Sequence, residues 1–377
     1  MFSAFITTFF VLYFLIQLFL IFFILKPEKP SPTIKKEKVP FVSILVAARN
    51  EEKNILNCLK SLSNQDCPSD RFEILIGSDR STDKTLEILK SYSKPSITVR
   101  IFDITTDLGR AKGKSNVLAQ LCHHAKGEIL LFTDADITVP PTWVSGMLDS
   151  FLENDKVVMN SAPTYIKGVG FMQKMQGLEW IFSLGIFKAS AIAGIPISSV
   201  GNNMGLRKEN YFKTGGYENF NFNIVEDYQL FNEVMKQGGK FQMLFNKKTL
   251  NISAPILSVK ELLNQRNRWM QGALGCPWYH KIIMGLPFLF PYFAMVMAFI
   301  NIKTALYCFL IKVILEWSYL TLLIKKLEIK PGFLPLIIYP FYYLIMLQLM
   351  VVSSFLNGGV VWKDRVYRGI IFGSRKQ

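Results

Sequence analysis

Asp134 and Asp136 stand one residue apart at the end of an apolar run, in the stretch LLFTDADITVP. Carboxylates this close repel each other, and burying either one without a partner is costly. The pair suits a hard divalent cation, Mg²⁺ or Mn²⁺, which takes one or two carboxylates and fills its shell with phosphate oxygens and water. A bound diphosphate would in turn account for the cations Arg110, Lys112 and Lys114 in GRAKGKSN. Asp-x-Asp by itself is a common chance pattern, so the elements that position it must carry part of the argument.

Those elements alternate. FVSILVAA has the continuous apolar character of a buried strand, and the segment after it, Glu51 to Leu62, has apolar residues at helical spacing. FEILIGS is a second strand, and STDKTLEIL opens a second helix with Ser81 as N-cap and Asp83 in its first turn. SITVRIFDI is a third strand, Lys114 to His124 a third helix and GEILLFTDAD a fourth strand. This alternation predicts an α/β domain with a mostly parallel central sheet and helices on both faces. Ligands bind such sheets at the carboxyl ends of the strands. Three of those ends deliver polar clusters: AARNEE, GSDRSTD and TDAD. Loops are polar anyway, so one such cluster means little, but three on one sheet edge describe a cleft. Ser81 and Asp83 fit a helix start better than direct ligands, and Lys112 fits a solvated position.

Both ends of the chain are of a different character. The first 25 residues carry no charge and are long enough to cross a bilayer as a helix. A cleavable leader fits poorly, because there is no basic segment before the apolar run and no small-residue cleavage site after it. Three more apolar spans are expected at Ile282–Asn301, Thr304–Ile324 and Phe333–Leu356. Lys312 and Glu316, at i and i+4 in the middle span, would pair inside a bundle. The formal charge of +15 has a simple source: KPEKPSPTIKKEKVP after the first span and WKDRVYRGIIFGSRKQ at the end are both basic. Basic flanks mark the cytoplasmic side and favour anionic head groups, so a nucleic-acid partner is set aside. If all three C-terminal spans cross, the basic tail ends outside, so one of them is expected to be interfacial or re-entrant. Five cysteines without CxxC spacing argue against a disulfide framework or a zinc site, and suit a reducing compartment.

The ordered set AARNEE, GSDRSTDKT, GKSN, FTDAD, VED and QRNRW resembles the family 2 glycosyltransferases, membrane-anchored members with a GT-A catalytic domain and a QxxRW motif. The resemblance covers residues 40–275 and the C-terminal WKDRVY. It implies nucleotide-sugar binding by Ala47, Arg49, Glu51, Asp79, Lys114 and Asp134, with Asp79 reading the base. It implies metal binding by Asp134 and Asp136. It makes Asp227 the catalytic base and places Glu226, Gln265, Arg268 and Trp269 with the acceptor and diphosphate. Taken locally, Glu226–Asp227 is only the acidic start of a helix, and Trp269 only an interfacial aromatic. Ser78 and Ala119 depart from common family residues and leave the donor nucleotide open.

The expected division is a membrane anchor over 1–25, a basic linker over 26–39, a cytoplasmic GT-A domain over 40–265, an interfacial segment over 266–281, transmembrane helices over 282–356 and a basic tail over 357–377. The implied activity is inverting, metal-dependent transfer of a sugar from a nucleotide donor, expected to be UDP-linked, to a lipid or lipid-linked acceptor at the cytoplasmic face of a bacterial inner membrane. A processive polysaccharide synthase of the cellulose or hyaluronan type is the alternative, and three C-terminal spans are few for a polymer channel. A binding protein that has lost catalysis conflicts with the retained aspartates.

Overall fold

The computed structural model describes residues 2–27, 39–221, 225–274, 278–356, 359–362 and 365–368. Most of the expected basic linker and much of the basic tail lie outside the described residues. The chain divides into two compact units. The sheet unit is Glu28–Tyr165 with Ser198–Ala254, and the helix unit is Met1–Pro27, Ile166–Ile197 and Pro255–Gln377. Elements are numbered along the whole chain.

The sheet unit opens with β1 (Val42–Ala48), α2 (Ile55–Leu62), β2 (Phe72–Asp79), α3 (Thr85–Ser91), β3 (Thr98–Ile104), α4 (Lys114–His124) and β4 (Ile129–Asp134). It continues through β5 (Ile137–Thr138), α5 (Trp143–Glu153), β6 (Val157–Ser161), β7 (Thr164–Ile166), β8 (Asn203–Arg207), α7 (Lys208–Lys213), α8 (Glu226–Lys236), β9 (Lys240–Met243) and β10 (Asn251–Ser253). The main sheet has the order β3-β2-β1-β4-β8-β6-β9. β1 runs parallel to β2 and β4, while β8 is antiparallel to β4 and β6. The mostly parallel α/β sheet is therefore present. Its central strands are apolar throughout because both faces are covered: Ile44, Leu45, Val46, Ile74, Leu75 and Ile76 are all fully buried.

Register sets the edge of the site. Ala47 lies opposite both Gly77 and Asp134, so β1, β2 and β4 end within a residue or two of one another. Each polar cluster then begins where its strand leaves the core.

The helix unit comprises α1 (Phe2–Leu25), α6 (Phe171–Ile192), α9 (Val259–Leu274), α10 (Trp278–Ile300), α11 (Ile302–Lys326), α12 (Phe333–Leu356) and the hairpin strands β11 (Gly359–Trp362) and β12 (Arg365–Arg368). α1, α10, α11 and α12 are long and apolar enough to cross a membrane. Ile6, Phe9, Phe10 and Tyr13 of α1 pack with Leu286, Phe290 and Met297 of α10 and Ala305 of α11. The expected i, i+4 pair forms: Lys312 Nζ lies 2.7 Å from Glu316 Oε2, and the Tyr13 hydroxyl donates to Glu316 Oε1 at 2.7 Å. The glutamate is thus bonded on both oxygens in a setting where an unpaired charge would be costly.

Candidate active site

The loops after β1 and β2 are latched to each other by backbone-to-side-chain bonds. The Glu51 N–H donates to Thr85 Oγ1 at 2.7 Å, the Glu52 N–H to Asp83 Oδ2 at 3.0 Å and the Thr82 N–H to Asn50 Oδ1 at 2.9 Å. Ser81 is not the N-cap of α3. That helix begins at Thr85, and the Ser81 hydroxyl instead accepts from the Asn50 N–H at 3.3 Å. Asn50 and Arg80 both have positive φ, 52° and 48°, the left-handed region that non-glycine residues seldom occupy. In Arg80 that turn lets the guanidinium reach back to the Thr105 carbonyl oxygen at 2.8 Å and Asp107 at 3.2 Å.

Asp79 sits between two guanidiniums. Its carboxylate is 3.7 Å from Arg49 and 3.5 Å from Arg80, and Arg49 also donates to the Asp79 carbonyl at 3.2 Å. Arg80 and Asn50 were not singled out from sequence. Their signal was positional, each lying one residue past an acid or base at a strand end.

Of the three cations at the start of α4 and just before it, only Lys114 comes to the aspartate pair. Its ammonium lies 2.6 Å from Asp134 Oδ1 and 2.9 Å from Glu226 Oε1, tying the end of β4 to the start of α8. Burial alone would lower the Lys114 pKa, but Asp134 and Glu226 outweigh it and raise it. Lys112 turns away to Asp107 Oδ2 at 2.6 Å, and the Arg110 guanidinium donates to Asn221 at 3.3 Å. Lys112 is therefore ion-paired rather than merely solvated, and its contact holds the Asp107 carboxyl below the usual range.

Asp227 is held by main chain. The Gly201 N–H donates to its Oδ2 at 2.7 Å and the Tyr228 N–H to its Oδ1 at 2.8 Å, while the Ser199 hydroxyl donates to its carbonyl at 3.0 Å. A Cβ at position 201 would stand 2.8 Å from Asp227 Oδ2, so this approach requires glycine. Burial, then the charge of Glu226, pushes the Asp227 carboxyl up from 3.8 to about 6, against the lowering pull of Lys114 and the two N–H donors. The loop carrying Gly201 is pinned in turn. Thr133 Oγ1 donates to the Asn202 carbonyl at 3.0 Å, and buried Asn203 accepts from Trp143 Nε1 at 2.8 Å while donating to the Pro163 and Thr249 carbonyls. Gly201 is the residue sequence reasoning missed here; GNNMG preceded the ED pair without showing which N–H would meet it.

Among the described residues, no group of three or more His, Cys, Asp or Glu side chains could hold a metal ion. Two carboxylates, Asp134 and the exposed Asp136, remain as the candidates expected from sequence. That number fits an Mg²⁺ or Mn²⁺ whose other ligands are phosphate oxygens and water. Cys58 lies below them, its thiol 3.6 Å from the Asp134 carbonyl; burial and then Asp136 and Asp134 push its pKa up, so it is an inert thiol. The four described cysteines are free thiols.

Gln265, Arg268 and Trp269 belong to α9 in the helix unit. The arginine that organises that helix is Arg266, which is 1% exposed. It pairs with both carboxylate oxygens of Glu179 on α6 at 2.9 and 3.0 Å, and Glu179 also accepts from the Tyr342 hydroxyl of α12 at 3.1 Å. Arg266 further donates to Gln265 Oε1. Its guanidinium lies 4.2 Å from the ring centroid of Trp269, whose indole stacks on Trp180 at 4.3 Å. Trp269 is thus built into a stack rather than displayed as a lone aromatic.

The sequence profile of glycosyl transferase family 21 matches residues 3–370, nearly the whole chain. The chain belongs to this family. The expected kinship with family 2-type glycosyltransferases holds. A beta-monoglucosyldiacylglycerol synthase from Nostoc is 31% identical over 243 residues, covering 62% of this chain and 49% of its own length. A probable glycosyltransferase, YdaM, from Bacillus subtilis is 27% identical, with 63% of this chain and 56% of its own covered. A 4,4'-diaponeurosporenoate glycosyltransferase from Staphylococcus aureus is 28% identical, with 50% of each covered. The chain spans about half the length of these curated relatives. Among solved structures, the mannosyltransferase PcManGT from Pyrobaculum calidifontis, determined with GDP-Man and Mn²⁺, superposes with a TM-score of 0.58 at 18% identity, covering 94% of this chain and 99% of its own. That likeness shows that this family member has the GT-A fold.

Proposed function

We propose that the protein transfers a sugar from a nucleotide-sugar donor to a lipid or lipid-linked acceptor, with inversion at the anomeric carbon. The observation that carries this is the Lys114 bridge. One ammonium joins Asp134 of the aspartate pair to Glu226, and next to Glu226 stands a carboxylate whose pKa is raised to about 6. The proposed donor-side and proton-accepting groups would thus adjoin each other.

Asp227 is the proposed base. Its two N–H donors fix its position, and a carboxylate with a pKa near 6 is a better proton acceptor than one near 4 while still being ionised at neutral pH. Lys114 would exchange a carboxylate contact for a phosphate one when the donor enters. Arg49, Glu51 and Asp79, with the backbone at Ala47, line the proposed nucleotide end, held by the latched loops. Asp134 and Asp136 would hold an Mg²⁺ or Mn²⁺, which when bound neutralises diphosphate charge and makes it a better leaving group. Gln265, Arg268 and Trp269 are proposed to serve the acceptor and leaving group. Support for a lipid acceptor comes from the four membrane-length helices and from relatives named for the synthesis of a monoglucosyldiacylglycerol and for the glycosylation of 4,4'-diaponeurosporenoate. The catalytic side of the membrane is proposed to be cytoplasmic.

The test is purified full-length protein incubated with labelled UDP- and GDP-sugars, a lipid extract and Mn²⁺. One added sugar per lipid, lost in Asp227→Asn while the nucleotide still binds, is the expected result. A ladder of products would favour a polymer synthase. Nucleotide binding without turnover across the donor panel would leave a binding protein. Asp136→Ala should weaken Mn²⁺-dependent donor binding, and unchanged affinity would remove Asp136 as a ligand.

A further inference from the structure

We infer that the N-terminal ends of α6 and α9, with the few residues before each, form a second lipid-contacting surface that rests on an anionic phospholipid leaflet. These segments lie between the spanning helices in sequence, in a stretch with no spanning character of its own. In the structure they are conspicuous for what they leave in the open. Val169 is 93% exposed and Leu257 79% exposed, with Phe171, Met172 and Val259 also exposed. Apolar side chains gathered in one place are unfavourable in water and mark a surface that something apolar covers.

Two sets of bonds make the segments one body. Gln176 Nε2 donates to the Ile256 carbonyl at 2.8 Å, and the Ile256 N–H donates back to Gln176 Oε1 at 3.1 Å. One turn further along α6, Glu179 grips Arg266 of α9. The exposed residues before and at the start of α6 therefore neighbour those at the start of α9, and neither set moves without the other.

The level of this body relative to a bilayer follows from one contact. The Lys174 ammonium lies 3.9 Å from where a Cβ would stand at Gly332. Gly332 is in the turn between α11 and α12, two helices long and apolar enough to span. A turn between two spanning helices sits at the head-group level, so the first turn of α6 does too. Exposed Phe333 and Leu334 continue the apolar surface from that turn.

Charge identifies the occupant. Lys167, Lys174 and Lys260 lie on the two segments and Lys325, Lys326 and Lys330 at the turn, against Glu261 and Glu328. Apolar side chains interleaved with lysines fit the boundary of an anionic leaflet, where the chains enter the acyl edge and the ammonium groups meet phosphates. A second copy of this chain would bring the same lysines face to face. This surface does not depend on the transferase reading; it requires only that α11 and α12 span. Its consequence is that α9, which carries Gln265, Arg268 and Trp269, is held at the lipid surface through α6.

The experiment places an environment-sensitive fluorophore at Val169→Cys or Leu257→Cys in the full chain, with Lys236→Cys on α8 as an exposed control. The unsubstituted chain gives the background from native thiols. Proteins are reconstituted in nanodiscs of phosphatidylcholine alone or mixed with phosphatidylglycerol, with and without a doxyl-labelled lipid quencher. Labels at 169 and 257 should be quenched and blue-shifted, most strongly in the anionic discs, while the label at 236 is not. Charge reversal by Lys167→Glu, Lys174→Glu and Lys260→Glu together should abolish the anionic excess of quenching, and raised salt should do the same in the unreversed chain. Quenching no greater than at 236 overturns the inference. Equal quenching in both discs, insensitive to salt and charge reversal, overturns its anionic half. Protection that grows with protein concentration and ignores the quencher assigns the surface to a second copy instead.

Discussion

Among the described residues, the buried ion pairs of the helix unit and the half-buried Lys114 cluster of the sheet unit differ in one respect. In the helix unit, Glu179 faces Arg266 with the Tyr342 hydroxyl as an added donor, and Glu316 faces Lys312 with Tyr13 in the same part. Each carboxylate there has one cation and one phenol, and the charge closes. In the sheet unit a single ammonium, Lys114, serves Asp134 and Glu226, with Asp227 adjacent and Asp136 close by in sequence. There one ammonium is shared between two carboxylates. Beside them is an aspartate pushed up to about 6 by burial and then by a neighbouring glutamate. One cation per carboxylate suits a cluster that holds helices together, while a cation shared between carboxylates and a raised neighbouring pKa suit the proposed reactive site.

The sharpest way to break this comparison is substitution with opposite signs in the two places. Asp227→Asn should lower transfer by about 10²- to 10⁴-fold. It should also leave thermal stability unchanged or raised, because it removes a carboxylate the fold holds at a cost. A clear loss of melting temperature would place Asp227 with the structural charges. Arg266→Met should destabilise by about 3–5 kcal/mol by stranding buried Glu179, as read in detergent unfolding. Combining it with Glu179→Met should recover most of that loss. If the double variant stays as unstable as the single one, the pair does more than neutralise itself.

Smaller effects refine the picture. Gly201→Ala must displace the Asp227 carboxylate, at about 1–3 kcal/mol of stability with a fall in kcat exceeding any change in donor KM. An unchanged kcat would mean that the Gly201 N–H does not position the base. The mildest test is pH. The folded chain holds the Asp227 proton more tightly than the unfolded chain, so its stabilising contribution is full below about pH 3.8 and is lost as pH rises through about 6. Activity should run the other way, with kcat/KM rising through about pH 6 as the base form appears, a limb that belongs to Glu226 and Asp227 together. A rate flat from pH 5 to 8 would count against Asp227 as the base.

Much of the sheet unit was legible in the residues. The third helix was expected over Lys114 to His124 and is found there, because a strand pattern on each side and the Gly-Lys-Ser start leave little choice. β4 covers Ile129–Asp134, inside the expected strand GEILLFTDAD and two residues short of its second aspartate. The membrane-length helices were equally plain, since apolar length alone defines them. Tertiary contacts separate the three cations. Arg110, Lys112 and Lys114 share a short segment, but backbone direction after Gly113, at φ 58°, sends only Lys114 inward. Ser81 looked like a cap, yet its hydroxyl is taken by the loop after β1, a partner 31 residues away.

The helix unit was less legible in one place. Nothing local in FMQKMQGLEWIFSLGIFKASAI shows that α6 clusters with the apolar helices, because its lysines and glutamate dilute the apolar signal. In QRNRW, which arginine turns inward depends on which face α6 and α12 cover. Composition and periodicity by themselves determined the α/β sheet, the apolar helices and the presence of paired carboxylates at a strand end, because each of these is written in neighbouring residues. Only the tertiary structure decided that Lys114 bridges Asp134 to Glu226, that Gly201 seats Asp227 and that Arg266 is locked to Glu179. Those contacts join residues 20 to 112 positions apart, and only packing brings them within hydrogen-bond reach.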